Sequence, residues 1–135
     1  MRPDYSGRWR FLSDASKLDI EDPDGVEFLI QHKEPAFHLE RTLIFEGERD
    51  TFEIDLTIGA DVRSFSRDDA RLRSLLRWDG DQLLFVTKIL RNDEEAKNLV
   101  RYILEEDGKI LIADEHFHGS DWDYHNRWVF EKIVS

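Results

Sequence analysis

The feature of this sequence that most constrains its fold is a regular recurrence of residues that favour tight turns. Glycine adopts positive φ, and Asp and Asn side chains bond nearby backbone groups, so these residues reverse the chain. Most intervals between them are near the roughly 8 to 12 residues typical of antiparallel barrels and sandwiches. The turn signals are Asp24-Gly25, Glu46-Gly47-Glu48, Gly59, Asp79-Gly80-Asp81, Asn92-Asp93-Glu94, Glu106-Asp107-Gly108 and His118-Gly119-Ser120. The chain is therefore expected to consist of short strands joined by hairpins.

Between the turns, apolar and polar residues alternate with period two, most clearly in residues 37–45, 51–58 and 70–78. Such alternation is typical of an antiparallel sheet with one buried and one wet face. Many sequential hairpins leave exposed edges unless the sheet closes. We therefore predict an all-β, single domain over residues 1–135, an up-and-down antiparallel β-barrel of about 8–10 strands with little helix. The predicted strands span roughly residues 6–13, 26–33, 36–45, 49–58, 62–66, 70–78, 82–90, 98–105, 109–117 and 124–133.

Helical periodicity is poor throughout the sequence. Residues 13–22 could form one short helical turn or a loop, because Asp14 and Ser16 lie near the start and Pro23 follows. Residues 93–98 are a second candidate for a helical turn, between two strands. Neither segment is long enough to add a helical layer to the predicted barrel.

Composition narrows the classes of function. The chain has 135 residues, of which 30 are Asp or Glu and 19 are Lys or Arg, giving a net charge of −11. This charge argues against nucleic acid or an anionic membrane surface as the main partner, since both are polyanions. The chain has no cysteine, which excludes disulfides and thiolate chemistry. We expect no membrane insertion and a cytoplasmic location, because neither a transmembrane segment nor a signal peptide is recognised.

Four short motifs follow one another in an order that is known from one superfamily. The first strand opens with Gly7-Arg8-Trp9, a Gly-x-Trp pattern, and an Arg-Thr-Leu strand follows at residues 41–43. A Trp-Asp-Gly-Asp-x-Leu hairpin lies at residues 78–83, and a final strand includes Asn126 to Glu131. In these motifs the chain resembles the calycin superfamily, which includes lipocalins and fatty-acid-binding proteins, and most of all its bacterial lipocalin-like members.

The resemblance implies that the barrel binds or carries a small apolar or amphipathic molecule. The residues between Leu12 and Gly25 are too few for the helical lid of fatty-acid-binding proteins. The Arg-x-Tyr pair with which those proteins hold a carboxylate is also missing, since Trp128 and Phe130 stand at the matching positions. A small hydrophobic ligand is thus the expected partner, held in a way that departs from the family's usual carboxylate clamp.

Arg41 is the most informative candidate for a polar ligand contact, because it shares its strand face with apolar residues. A buried guanidinium must find a partner, so Arg41 could hold an anionic or carbonyl ligand, pair with an internal acid such as Asp114, or pack on Trp9. Aromatic walls with a few polar groups are the usual composition of a small-molecule pocket, and equally of a filled core. The predicted cavity residues are Arg41, Leu39, Leu43, Trp78, Phe85, Tyr102, His116, Trp128 and Phe130.

Gly7 and Trp9 are expected to have a structural role at the end of the barrel. A bulky side chain is needed where the strands converge, and the resemblance implies that Trp9 closes this end against a basic side chain.

Histidines at positions 116, 118 and 125 support an alternative function. Imidazole and carboxylate groups in this region could assemble a metal or haem site, and hence an enzyme of the same fold. No catalytic motif or nucleotide-binding loop is recognised, so we predict no catalytic residues, no metal site and no cofactor, and do not expect an enzyme. A further alternative is a filled barrel that acts as an interaction module or homodimer, because residues 83–90 and 99–104 are apolar on both faces.

Overall fold

The computed structural model describes residues 2–65 and 70–134 and confirms the predicted all-β class. Two short 3-10 turns, Ser13–Ala15 and Glu106–Gly108, accompany the strands. In the described part of the chain, no helix has the length and apolar character needed to cross a membrane. The strands are β1 (Gly7–Phe11), β2 (Lys17–Leu18), β3 (Gly25–Lys33), β4 (Ala36–Phe45), β5 (Glu48–Thr57), β6 (Asp61–Phe65), β7 (Arg71–Asp79), β8 (Gln82–Arg91), β9 (Glu94–Glu105), β10 (Ile110–His118) and β11 (Asp123–Lys132).

The hairpin between β8 and β9 corrects one prediction about local structure. Asn92 and Asp93 both have positive φ, at 48° and 64°, which allows a two-residue turn whose twist matches that of the flanking strands. Strand β9 therefore begins at Glu94, and the helical turn predicted over residues 93–98 is wrong. The predicted strand over residues 62–66 is observed up to Phe65, and Ser66 lies outside the described residues.

The strands form one antiparallel sheet that curls into a nearly closed barrel. Its order is β5-β4-β3-β1-β11-β10-β9-β8-β7-β6, so strands adjacent in sequence are mostly adjacent in space, and β1 joins the two halves. No backbone pairing between β5 and β6 is found in the described residues, although these two strands follow one another in sequence. We call this place the seam, defined by β5 (Glu48–Thr57) and β6 (Asp61–Phe65). The two unpaired edges of the sheet face each other there.

One end of the barrel is closed by large side chains from the N-terminal segment. Trp9 is 1% exposed and Tyr5 is completely buried. The Tyr5 hydroxyl lies 2.8 Å from the carbonyl oxygen of Asp81 and 3.0 Å from that of Tyr102, so it ties the N-terminus to strands on the far side. Burial, together with the nearby Asp81 carboxylate, raises the pKa of Tyr5 to about 12. Side chains of the protein itself therefore fill this end of the barrel.

The segment between β1 and β3 lies along β11. β2 pairs with Asn126 and Arg127, and the Ser16 hydroxyl accepts a hydrogen bond of 2.9 Å from the Val129 amide. Leu18 and Ile20 on this segment pack against the core. The segment is thus a short strap that is hydrogen-bonded along the edge of β11. This agrees with the expectation that the stretch is too short for a helical lid.

Two outward-facing apolar residues of the later strands, Leu84 and Ile112, are buried in the chain itself. Leu84 and Ile112 are 4% and 3% exposed although they alternate with inward-facing residues. Leu84 lies between Arg77 and Arg101 on the neighbouring strands, and long arginine side chains commonly cover apolar surface with their methylene groups. Packing within this chain therefore covers part of the two-sided apolar pattern, whereas Leu90 near the end of β8 is 41% exposed.

Candidate functional site

Arg41 lies on β4, directly opposite Phe28 on β3 and Phe52 on β5. Phe28 is buried and Phe52 packs against the core, so Arg41 shares the inner face of the sheet as predicted. Its guanidinium carbon is 5.9 Å from the centre of the Phe52 ring. The Nε atom of Arg41 is buried and has no hydrogen-bond partner in residues 2–65 and 70–134. The sequence predicted two protein partners for Arg41, an internal acid such as Asp114 and the ring of Trp9. The ring of Trp9 is instead contacted by Lys132, whose Nζ atom lies 5.9 Å from the ring centre.

The acid inside the barrel is Glu115, one residue away from the predicted Asp114. Glu115 is 7% exposed and accepts hydrogen bonds from the side-chain nitrogens of Asn98 (2.9 Å), Asn126 (3.1 Å) and Trp128 (3.1 Å). Asp114 is on the outer face and pairs with His125. The pairing of Arg41 with Asp114 that the sequence suggested is therefore wrong.

Arg41 and Glu115 place opposite charges near the same two phenols. Burial raises the pKa of Tyr102 well above its ordinary value, while Arg41 lowers it and Glu115 raises it. Burial also raises the pKa of Tyr124, on which Glu115 and Arg41 again act in opposite directions. Both tyrosines are thus neutral hydrogen-bonding groups at neutral pH. The interior therefore contains one basic and one acidic side chain that both act on these phenols.

The predicted aromatic and aliphatic cavity residues other than His116 face the interior. Tyr102, Trp128 and Phe130 belong to the buried core, and Phe28 packs edge-on against Phe130 with ring centres 5.0 Å apart. The other predicted members of the inner face are Leu39 and Phe85, which are buried, and Leu43 and Trp78, which pack against the core from partly exposed positions. Contact with a ligand stays a prediction for all of these residues.

His116 does not face the interior, and this part of the predicted cavity is corrected. On β10, Leu111, Ala113 and Glu115 are buried, so the alternation of the strand turns His116 outward. Its Nε2 lies 2.8 Å from Asp123, and the same carboxylate lies 2.8 Å from Nδ1 of His118. A haem inside the barrel would need its histidine ligand on the inner face of the sheet, whereas His116 and His118 lie on the outer face.

Gly7 and Trp9 occupy the closed end of the barrel. Trp9 Nε1 donates a hydrogen bond of 3.3 Å to the carbonyl oxygen of Tyr5. Gly7 has φ of +153°, and a Cβ atom there would lie 3.0 Å from the side chain of Lys132. A larger residue at position 7 would displace the basic side chain that lies over Trp9.

A cleft of about 900 Å³ lies at the seam and has Arg41 in its lining. Inward-facing Phe52, Ile54 and Leu72 form part of its apolar wall, and exposed acids such as Glu48 and Glu53 also line it. The cleft therefore connects the guanidinium of Arg41 with the outside of the barrel, at the place where the sheet does not close.

A surface cluster on β4 and β5 was not recognised from the sequence. One donor atom from each of His38, Glu40 and Glu53 lies within 4.8 Å of the others, a spacing that could hold a divalent cation. His38 Nδ1 is also 2.6 Å from Asp55, and this hydrogen bond raises the pKa of His38. Strand register could have indicated the cluster, because His38 faces Asp55 and Glu40 faces Glu53. All four side chains project from the outer face, away from Arg41.

Comparisons with known proteins bear on the fold. No family model matches the chain, and no curated protein matches it in sequence. Among solved structures, secretory abundant heat soluble protein 4 from Ramazzottius varieornatus is similar, with a TM-score of 0.61 and 21% sequence identity. The match covers 96% of this chain and 95% of the other. The two chains share a fold. At this identity the likeness carries no residue roles, so the function must be inferred from the interior of this barrel.

Proposed function

We propose that the protein binds a small amphipathic molecule inside the barrel, with the polar end of the molecule at Arg41. The observation that carries this proposal is the inward-facing guanidinium whose buried Nε has no protein partner among the described residues. Leaving a buried donor unsatisfied costs about 1–3 kcal/mol. A ligand that accepts a hydrogen bond from this group would recover that cost.

The polar end of the ligand is an anion or a carbonyl group. Glu115 already has three donors from Asn98, Asn126 and Trp128, whereas the buried Nε of Arg41 has no acceptor in the described chain. A guanidinium presents its N–H groups in a planar fork that suits a carboxylate. The electrostatic requirement of the interior is therefore for negative charge beside Arg41.

The apolar part of the ligand contributes most of the binding free energy. Burying apolar surface contributes about 25 cal/mol per Å², before the cost of ordering the ligand. Phe52, Ile54 and Leu72 line the cleft beside Arg41, which gives an apolar chain a path from the seam toward the core. This division of roles favours a molecule with one polar end and an apolar body.

Palmitate and palmityl alcohol test the proposal, because they differ only at the polar end. We expect both to displace anilinonaphthalene sulfonate from the purified full chain, with palmitate binding more tightly. Arg41→Met should weaken palmitate binding about tenfold and leave the alcohol almost unchanged, since tenfold is about 1.4 kcal/mol. Arg41→Lys should retain part of the preference for palmitate.

Arg127→Met is the matched control, because Arg127 is exposed on the outer face of β11 and the charge change is the same. It should bind both probes like the unmodified protein. If neither probe nor ligand binds the unmodified protein, the carrier function is wrong. If Arg41→Met and Arg127→Met weaken palmitate equally, the polar contact is not at Arg41.

A further inference from the structure

A row of four basic side chains crosses four adjacent strands on the outer face of the barrel. Arg63 on β6 lies opposite Arg73 on β7, Arg73 lies opposite Lys88 on β8, and Lys88 lies opposite Lys97 on β9. All four residues are exposed. We call these residues the cation row. With neighbouring strands about 4.8 Å apart, the row is about 14 Å long.

Like charges directly opposite one another destabilise a sheet. Asp61 neutralises Arg73, with its carboxylate 3.1 Å from Arg73 Nε. No ion pair of Arg63, Lys88 or Lys97 is found in the described part of the chain. The exposed acids Glu53 and Asp55 lie on β5, whereas the sheet neighbours of β7 are β6 and β8.

Apolar side chains border the cation row on one side. One step further along the strands, Phe65 lies opposite Arg71 and Arg71 lies opposite Leu90. Phe65 is 72% exposed and Leu90 is 41% exposed, so both are available for contact. Together with Arg63, Arg73 and Lys88 they line a groove of about 530 Å³. The groove thus combines the cations of the row with two apolar side chains, Phe65 and Leu90, between which lies a further exposed cation, Arg71.

We propose that this groove is a second binding site, which takes a small organic polyphosphate. Its phosphates would lie along the cation row, and its apolar or aromatic part would cover Phe65 and Leu90. This site is on the outer face, and Ser64, Phe65 and Leu72 line both this groove and the cleft at the seam.

The surroundings of the groove favour a small anion over an extended one. The β8–β9 hairpin presents exposed Asp93, Glu94 and Glu95 beside Leu90, and Glu95 itself lines the groove. A bilayer surface or a nucleic acid that reached the cation row would also meet these acids and the net charge of −11. Electrostatic attraction falls off over about 8–10 Å at ordinary ionic strength, so a ligand confined to the groove experiences mainly the cations.

Titration calorimetry of the full chain with tripolyphosphate and with adenosine triphosphate tests the site. We expect both to bind at low salt and to weaken as salt is added. The double variant Lys88→Gln, Lys97→Gln should weaken both about tenfold. Phe65→Ala should weaken adenosine triphosphate more than tripolyphosphate, because only the former has a part that can cover Phe65.

The control is Arg8→Gln, Arg127→Gln, which removes two exposed outer-face charges away from the cation row. Absence of binding to the unmodified protein, or equal losses in the two double variants, would overturn the proposal. An equal effect of Phe65→Ala on both probes would overturn the position given to the apolar part. Cosedimentation with phosphatidylserine vesicles that is stronger than tripolyphosphate binding would assign the cation row to a membrane surface instead.

Discussion

At the scale of single residues, Glu115 decides the polarity of the interior more than any other side chain. It is a buried carboxylate with three side-chain donors, one from β9 and two from β11. Removing the acceptor leaves all three donors buried, whereas the exposed acids of the outer face lose little when they are replaced. Glu115 therefore links three neighbouring strands through one group.

We expect Glu115→Leu to lower the free energy of unfolding by about 3 kcal/mol, because three buried donors lose their acceptor. Glu115→Gln should cost less, since the Asn98 amide can reverse and offer its oxygen, which has no partner in the described structure. Urea unfolding measures both values. Asp114→Leu is the control on the outer face of the same strand. A cost for Asp114→Leu as large as that for Glu115→Leu would contradict this account.

At the scale of strands, the seam separates β5 from β6, which remain paired with β4 and β7. Each of these strands has one paired edge and one unpaired edge, whereas β9 and β10 have partners on both sides. Unpaired backbone groups at an edge exchange readily with solvent, and local opening needs fewer broken hydrogen bonds there.

Hydrogen exchange is expected to be fastest, among the strands compared, in β5 and β6. Amides of β5 that point away from β4 should exchange much faster than amides at the centre of β9 and β10. Exchange measured by NMR on the full chain gives the comparison. Addition of a ligand that fills the interior should slow exchange along the seam if the ligand bridges β5 and β6. Equal protection of β5 and β10 in the free protein would show that the seam is closed in solution.

At the scale of the whole molecule, burial raises the pKa of all three tyrosines in the chain. In the unfolded chain these phenols lose their protons near the ordinary pKa of 10.0, whereas Tyr5 in the barrel keeps its proton to about 12. The stability that this difference gives is complete below about pH 10 and is lost as the pH rises through the folded-state value.

The free energy of unfolding should therefore fall steeply between pH 10 and pH 12. Over the whole alkaline range Tyr5 alone accounts for a loss of about 3 kcal/mol, because its pKa rises from 10.0 to about 12 on folding and each pKa unit corresponds to about 1.4 kcal/mol. Urea unfolding at a series of alkaline pH values measures the slope. Tyr5→Phe should be less stable at neutral pH, through loss of its hydroxyl contacts, and should have a shallower slope. An identical slope in Tyr5→Phe would be the contrary result.

Turn chemistry and alternation were sufficient to predict the class, the approximate strand bounds and the inner face of β4, including Arg41. They failed for β10, because both of its faces are apolar and the buried Glu115 breaks the hydrophobic pattern on the inner one. Spacing along the sequence also could not reveal the seam, since β5 and β6 follow one another and were expected to pair. The cation row could not be predicted, because it depends on the register between strands. That register places residues up to 34 positions apart in the sequence next to one another.

The seam also determines how the barrel can change its circumference. The circumference of a fully hydrogen-bonded cylinder is set by its strand number and stagger, so widening it requires breaking a whole ladder of bonds. In this molecule the ring of strands is interrupted between β5 and β6, and the remaining strands are held by continuous ladders. The wall can therefore widen at the seam without breaking an interstrand ladder, because β5 and β6 are not paired with each other.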